Sequence, residues 1–223
     1  MHHSNDAPKR AICIDLSAKI KHYFRNFLMM QIEMKVKLHE IADIEAGHPF
    51  RGAIPEHEHG DCQVIQVRDI DADGLVNWGG VICTQITGRK RPDWLREGSI
   101  IFAARGARNL ASCMPDLGRP VVCAQHFFRI TLKATNDALP EFIAWQLNQA
   151  PLQRYFRRLA QGSAQVSIHR AMLEQATITL PPLEQQIILT RFADKALKEK
   201  QRLTQLIDNR RQQIDLIAND LFK

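Results

Sequence analysis

Residues 162–186 read GSAQVSIHRAMLEQATITLPPLEQQ, and this stretch joins two parts of the chain that differ in composition. It contains a small polar loop, a short helical run and an alternating apolar run, TITL, which Pro181 and Pro182 must end. Residues 183–223 that follow contain neither glycine nor proline. The stretch therefore predicts a last short strand and, after it, one long helix.

The long helix carries a narrow apolar seam. Its positions are spaced alternately by four and three residues, and eight of the ten are apolar. At 1.5 Å per residue the helix would be about 60 Å long, too long to pack wholly on a domain of this size. Such a seam favours pairing with another helix, and a helix folded back on the domain is the alternative. The seam residues are Leu189, Ala193, Ala196, Lys200, Leu203, Ile207, Arg210, Ile214, Ile217 and Leu221.

Short strands and turns are predicted before the helical part. The runs CQVIQVRDI (62–70), GGVICTQIT (79–87), GSIIFAARG (98–106) and RPVVCAQHFFRITLK (119–133) are β-branched and end in turn residues. They favour a compact mixed β-sheet or partial barrel, with His126 as a core residue of the last run. The predicted fold class is α+β, a mixed β domain followed by a long C-terminal coiled-coil helix.

Shorter helices are predicted on both sides of the strands. Leu38, Ile41 and Ile44, spaced by three, indicate a short helix ended by Gly47 and Pro49. Residues 140–160, PEFIAWQLNQAPLQRYFRRLA, indicate two helices with a break before Pro151. Residues 1–34 have scattered charge and weak periodicity, so we expect an extension that is either loosely helical, over residues 12–27, or disordered.

Composition excludes several classes of protein. The cysteines are odd in number and form no CxxC pair, which fits neither a disulfide framework nor a zinc ribbon, so we expect reduced thiols in the cytoplasm. No apolar stretch is long enough to span a membrane, and the N-terminus lacks the layout of a signal peptide. The cysteines are Cys13, Cys62, Cys83, Cys113 and Cys123.

Positive charge is segregated along the chain. Residues 86–129 contain eight basic and three acidic residues, and residues 150–171 contain four arginines and no acid. Residues 56–73 contain six acids and one arginine. A segregated basic surface suits a polyanion, because each neutralised phosphate releases counterions. Charge alone leaves a solvated surface as an equal alternative.

Residues for catalysis are not grouped in a recognisable pattern. The sequence has no glycine-rich phosphate loop, and His57 and His59 are spaced poorly for helical metal binding. Residues 92–98, PDWLREG, begin like a metal-dependent nuclease motif but lack an acid-x-lysine on a following strand. We therefore expect a binding protein without a cofactor. A metal-dependent nuclease, or a helical scaffold that does not bind DNA, is the alternative.

Four motifs in order resemble one family. KLHEIADIEAGHPF (37–50), LREGSIIFAARGARN (95–109), GSAQVSI (162–168) and LPPLEQQ (180–186) look like the target-recognition domain and conserved helix of specificity (S) subunits of type I restriction-modification systems, over about residues 35–223. Ser99 stands where the family usually has Asp. The resemblance implies an extension at 1–34, a target-recognition domain at 35–182, and a helix at 183–223 for dimerisation and methyltransferase binding.

Full-length members of this family carry two recognition domains and two helices that pair antiparallel, whereas this chain has one of each. The resemblance therefore implies a homodimer that reads a bipartite inverted repeat in double-stranded DNA. It also implies methyltransferase and restriction subunits as partners, with no catalytic residues in this chain. Polar residues of the loops beside the strands are the expected DNA contacts. They are Arg51, Arg68, Arg89, Lys90, Arg91, Arg105, Arg108, Asn109, Gln165, Ser167, His169 and Arg170.

Overall fold

The computed structural model describes residues 34–86, 92–106, 108–134, 137–160 and 167–222, which contain nine strands, five α-helices and two short 3-10 helices, Val67–Asp69 and Trp78–Gly80. The expected extension at 1–34 lies outside these residues except for Met34. The strands are β1 (Met34–Lys37), β2 (Ala42–Ala46), β3 (Cys62–Ile65), β4 (Ile82–Thr84), β5 (Ile100–Ala103), β6 (Ala111–Cys113), β7 (Val121–Cys123), β8 (Phe127–Leu132) and β9 (Thr177–Leu180). The helices are α1 (Leu38–Ile41), α2 (Pro140–Leu147), α3 (Ala150–Leu159), α4 (Arg170–Glu174) and α5 (Leu183–Leu221).

The strands form three small sheets. A four-stranded antiparallel sheet has the order β2-β8-β5-β6, a three-stranded sheet has the order β4-β3-β7, and β1 pairs with β9. In the three-stranded sheet β3 runs antiparallel to β4 and parallel to β7. Backbone hydrogen bonds join the loops that follow β2, β3, β5 and β7. The α+β class with a long C-terminal helix is confirmed.

The strand β5 is buried on both faces because it lies between two cores. Ile100 and Phe102 pack in the larger core, which includes α2 and α3. Ile101 and Ala103 pack in a second core, against residues of the three-stranded sheet. Alternate side chains of a strand point to opposite faces, so an unbroken apolar run fills both cores. The Phe102 and Phe156 rings, 5.0 Å apart, join β5 to α3.

Two local predictions were wrong. The helix α1 ends at Ile41, and Ile44 lies in β2, where it is opposite Ile130 of β8. A spacing of three fits one helical turn, but the ladder with β8 and the burial of Ala42 and Ile44 on one face favour a strand after Ile41. His126 lies in the turn between β7 and β8 and is partly buried, rather than being a core residue of a strand. The prediction of two helices within residues 140–160 agrees with α2 and α3.

The long helix α5 is anchored at its first turns and exposed over most of its length. Gln186 is fully buried, and its Oε1 accepts a hydrogen bond from the Leu139 N–H at 3.0 Å. Its Nε2 donates to the carbonyl oxygens of Asp137 and Pro181, both at 2.8 Å. Beyond residue 197 nearly every residue of the helix is exposed. Within the described ranges, no helix is both long and apolar enough to cross a membrane.

Candidate nucleic-acid interface

Five loop segments meet at one end of the sheets, and backbone hydrogen bonds hold them together. The His48 N–H donates to the Cys123 carbonyl at 2.7 Å, and the Ala124 N–H donates to the Ile65 carbonyl at 2.9 Å. The Ala104 N–H donates to the His126 carbonyl at 2.9 Å. We call this region the loop cluster; it comprises residues 47–54, 66–69, 104–109 without residue 107, 124–126 and 167–169.

Two glycines allow these loops to approach one another closely. A Cβ atom on Gly47 would lie 2.2 Å from the Ala124 carbonyl oxygen. Gly106 has a φ angle of +125°, which L side chains rarely adopt, and a Cβ atom there would lie 2.9 Å from Val67. The close packing of the loop cluster therefore depends on glycine at both positions.

Several predicted DNA contacts lie in the loop cluster. Arg51, Arg68, Arg105 and Arg108 are all exposed and come from three separate loops. The Arg68 side chain is 65% exposed, with its Nε 3.8 Å from Asp69 Oδ1. Arg108 Nη1 donates to the Ala72 carbonyl at 3.3 Å, which directs this loop toward the turn after β3.

The segment after residue 166 joins the cluster through the loop that follows β5. Ser167 forms a β-bridge with Arg105, and the Ile168 N–H donates to the Ala104 carbonyl at 2.9 Å. His169 is exposed immediately before α4. Arg170 lies in the first turn of α4, and its Nε is 2.7 Å from Glu174 Oε1. Its positive charge is thus partly balanced.

Asn109 has a structural position that the sequence did not indicate. The residue is 4% exposed, and its Nδ2 donates to the Ala103 carbonyl at 2.8 Å. Its own carbonyl accepts a hydrogen bond from Gln153 Nε2 at 2.8 Å. The side chain closes the loop after β5 instead of facing solvent, so we do not retain it among the proposed DNA contacts. Arg89, Lys90, Arg91 and Gln165 lie outside the described residues.

Arginines of the basic segment lie at both ends of the sheets, whereas the acids before β3 lie at the end away from the loop cluster. Arg105 and Arg108 follow β5 in the loop cluster, whereas Arg96 precedes β5 and Arg119 precedes β7, at the other end. Glu56, Glu58 and Asp61 precede β3 and so lie at the opposite end of that strand from Arg68. Arg129 pairs with Glu45. The cluster therefore combines exposed arginines with few exposed acids.

Asp69 is the acid that pairs with Arg68. It is 3% exposed, and burial raises the pKa of its carboxyl group above the ordinary value. The Gln66 N–H, which donates to Asp69 Oδ2 at 2.8 Å, and the Arg68 guanidinium oppose this rise. Since the carboxyl group is buried, its charge is largely withdrawn from the exposed surface of the cluster.

Three polar residues of the cluster were missed by sequence reasoning. Gln66, Gln125 and His126 line a concavity of about 280 Å³ together with Arg68. Gln66 follows β3, while Gln125 and His126 follow β7, so the residues are about 60 positions apart along the chain. Only the parallel pairing of β3 with β7 brings them together, and the sequence contains no signal for that pairing.

The large apolar residues of the predicted seam of α5 are exposed in this chain only over its C-terminal part. Leu189 packs against the larger core of the same chain, and Ala193 and Ala196 line a groove between α5 and the β6–α2 region. Lys200 Nζ lies 2.5 Å from Asp73 Oδ1. From residue 203 onward the seam is open to solvent. Its exposed fractions are 54% for Leu203, 59% for Ile207, 65% for Ile214, 60% for Ile217 and 74% for Leu221.

Three solved structures share the fold of this chain. The HsdS subunit from Thermoanaerobacter tengcongensis matches with a TM-score of 0.52 and 16% identity, over 75% of this chain and 38% of that chain. The type I restriction-modification S subunit from M. genitalium matches with a TM-score of 0.53 and 15% identity, over 81% and 43%. A chain from a structure on complex assembly and conformational transition of the type I R-M system matches with a TM-score of 0.50 and 17% identity, over 77% and 40%.

This protein belongs to the type I restriction modification DNA specificity domain family, whose sequence model matches residues 32–209. The chain spans about two fifths of the length of the solved structures that it resembles. No curated protein matches it.

Proposed function

We propose that this chain is a sequence-specific DNA-recognition subunit of a type I restriction-modification system. The main support is the meeting of Arg51, Arg68, Arg105 and Arg108, from three separate loops, on one exposed end of the sheets. Guanidinium groups bind phosphates and the major-groove edge of guanine, so such a surface can both hold and read a duplex. Family membership supports the same role.

The open seam of α5 supports a homodimer. A row of exposed Leu and Ile residues over five helical turns needs an apolar partner. A second copy supplies an identical seam, and two copies together would provide two loop clusters related by a two-fold axis. Such a dimer would read an inverted repeat, with a gap set by the separation of the two clusters.

In this proposal, partner subunits carry out catalysis. Methyltransferase subunits bound to the paired helices would methylate adenine in the site, and restriction subunits would join the same assembly. This chain would act in the cytoplasm and require no cofactor. In the described part of the chain, no three His, Cys, Asp or Glu side chains are grouped so that they could hold a metal ion.

Selection from a random library of duplexes tests this function. The purified protein is used alone and with the methyltransferase subunit of its system, and we expect enrichment of a gapped inverted repeat. The quadruple variant Arg51→Ala, Arg68→Ala, Arg105→Ala, Arg108→Ala should lose the enrichment. A control variant with Arg96→Ala and Arg119→Ala, at the other end of the strands, should keep it. Failure of the unmodified protein to enrich any sequence under both conditions would refute DNA recognition.

A further inference from the structure

The concavity in the loop cluster contains polar atoms whose hydrogen-bonding capacity is unused. Its lining includes Phe50, Ile54, Gln66, Arg68, Gln125 and His126. Gln66 Nε2 and His126 Nδ1 are shielded from solvent, and neither has a hydrogen-bond partner among the residues that the structure describes. Buried polar groups in native proteins are nearly always paired, so two unpaired atoms in one concavity point to a missing ligand or water.

The backbone beneath both side chains is held in place. The Gln66 N–H donates to Asp69 Oδ2 at 2.8 Å, and its carbonyl accepts from the Asp69 N–H at 2.9 Å. The His126 carbonyl accepts from the Ala104 N–H, also at 2.9 Å. The side chains with unused hydrogen-bonding capacity therefore extend from a backbone that is held in place. Turning Gln66 Nε2 and His126 Nδ1 toward a ligand breaks no protein hydrogen bond at either atom.

The surroundings favour a nucleic-acid base as the ligand. The exposed guanidinium of Arg68 lines the concavity, and Arg51 lies between its lining residues Phe50 and Gly52 along the chain. The amide of glutamine offers one donor and one acceptor, the pattern that matches N7 and N6 of adenine. A neutral imidazole also offers one donor and one acceptor. Phe50 and Ile54 supply apolar walls, which exclude water and raise the cost of a mismatched polar group.

Resting on the proposed function, we infer that Gln66 and His126 are specificity-determining residues that read one base pair in each half-site, with adenine as the base recognised by Gln66. Arg68, 65% exposed at the same concavity, holds the adjacent phosphate. Gln66 and His126 come from the ends of β3 and β7, which are hydrogen-bonded neighbours, so both can face the same base pair.

The test compares DNA selection and thermal unfolding for the unmodified protein and Gln66→Leu. Since Nε2 has no hydrogen-bond partner among the described residues, we expect the variant to keep its Tm. It should lose the preference for adenine at one position of each half-site, and its affinity for the original site should fall about 10- to 100-fold. His126→Leu should relax the preference at the same position. Gln175→Leu, an exposed glutamine after α4, is the matched control and should behave as the unmodified protein.

Three results would overturn the inference in distinguishable ways. If Gln66→Leu selects the same site with the same affinity, base reading by Gln66 is wrong while DNA recognition by the protein stands. If Tm falls and the selected site is unchanged, the amide has a structural role through buried water. If the unmodified protein enriches nothing, the proposed function fails together with the inference. Should Gln66→Leu not fold, Gln66→Met, which removes the amide and keeps the length of the side chain, replaces it, and a retained adenine preference overturns the inference.

Discussion

The ammonium group of Lys200 lies 2.5 Å from the carboxylate of Asp73, which belongs to the turn between β3 and β4. Lys200 is on the fifth turn of α5, so this ion pair joins the helix to the body of the protein well beyond the buried anchor at Gln186. A surface ion pair contributes only about 0–1 kcal/mol to stability. Its consequence is geometric: together with Gln186, it fixes the direction in which the open part of α5 extends from the body of the protein.

Gln186 should be the most important polar residue for the stability of this junction. Replacement of Gln186 by Leu leaves the Leu139 N–H and the carbonyls of Asp137 and Pro181 without their partner. We expect a loss of about 3 kcal/mol in the free energy of unfolding, or a fall in Tm of about 5–10 °C. Differential scanning calorimetry measures this change. Gln201→Leu, on the exposed part of α5, is the control, and an equal fall in both variants would contradict the assignment.

Asp69 should make stability depend on pH. Burial raises its folded-state pKa above the unfolded value of 3.8. The contribution of Asp69 to the stability of the folded state is therefore fully present below about pH 4, where the carboxyl group is neutral. This contribution is lost as the pH rises through the folded-state pKa. Asp69→Asn removes the buried charge, so its unfolding free energy relative to the unmodified protein should increase between about pH 4 and pH 7.

Urea unfolding at several pH values tests the role of Asp69. Asp43→Asn changes the net charge by the same amount on an exposed position of β2 and serves as the control. If the unmodified protein instead gains stability relative to Asp69→Asn as the pH rises, then the Gln66 N–H and Arg68 lower the pKa of Asp69 by more than burial raises it. Such a result would assign Asp69 a lowered pKa.

The loop after β5 should contribute directly to DNA affinity. Arg105→Ala and Arg108→Ala should each weaken binding by about 1–3 kcal/mol if the side chain reads a base. If the side chain holds a phosphate, affinity should fall evenly across sequences and the salt dependence should decrease by about one unit of slope. Fluorescence anisotropy at several salt concentrations separates these outcomes. Arg96→Ala is the control at the other end of β5, and unchanged affinity and site preference in both loop variants would exclude this loop from the interface.

Local sequence patterns predicted those helices and strands whose structure depends mainly on their own residues. The strand β5 follows from the unbroken run of Ile100 to Ala103, and α5 follows from the absence of helix breakers after Pro182. The strand β6, Ala111–Cys113, was missed because Ala and Ser carry little strand preference, and only pairing with β5 makes the segment a strand. A pattern of three residues, as at Leu38, Ile41 and Ile44, is too short to separate a helical turn from the strand that follows it.

For the candidate site, the sequence predicted the types of residue, but it did not predict all of the residues that the structure brings together there. Arg51 and Arg105 were predicted because they lie in loops beside the strands, yet the meeting of those loops depends on the strand order, which sequence periodicity does not encode. Asn109 was chosen for its hydrogen-bonding chemistry, and the same chemistry instead closes its own loop through the Ala103 carbonyl. An amide that can bind a base can equally bind a nearby backbone group, and only the three-dimensional structure distinguishes the two.

The open seam of α5 should determine the oligomeric state. Leu203 and Ile214 are 54% and 65% exposed in the single chain, and we expect both to be buried between the two helices of a dimer. Replacing both by Asp would place four charges in that apolar interface, one pair from each copy. Each buried Leu or Ile contributes about 1.5–3 kcal/mol, so the dissociation constant should rise more than about 1000-fold.

Sedimentation equilibrium of the Leu203→Asp, Ile214→Asp variant should therefore give the mass of a monomer at concentrations where the unmodified protein is a dimer. The matched control, Gln205→Asp with Gln212→Asp, adds the same charge on the opposite side of the helix and should remain dimeric. Leu189 is unsuited to this test because it packs against the core of its own chain, and its replacement would destabilise the monomer as well. If the seam variant keeps the dimer mass, the helices do not pair through this seam, and the symmetric two-cluster reader must be assembled by other contacts.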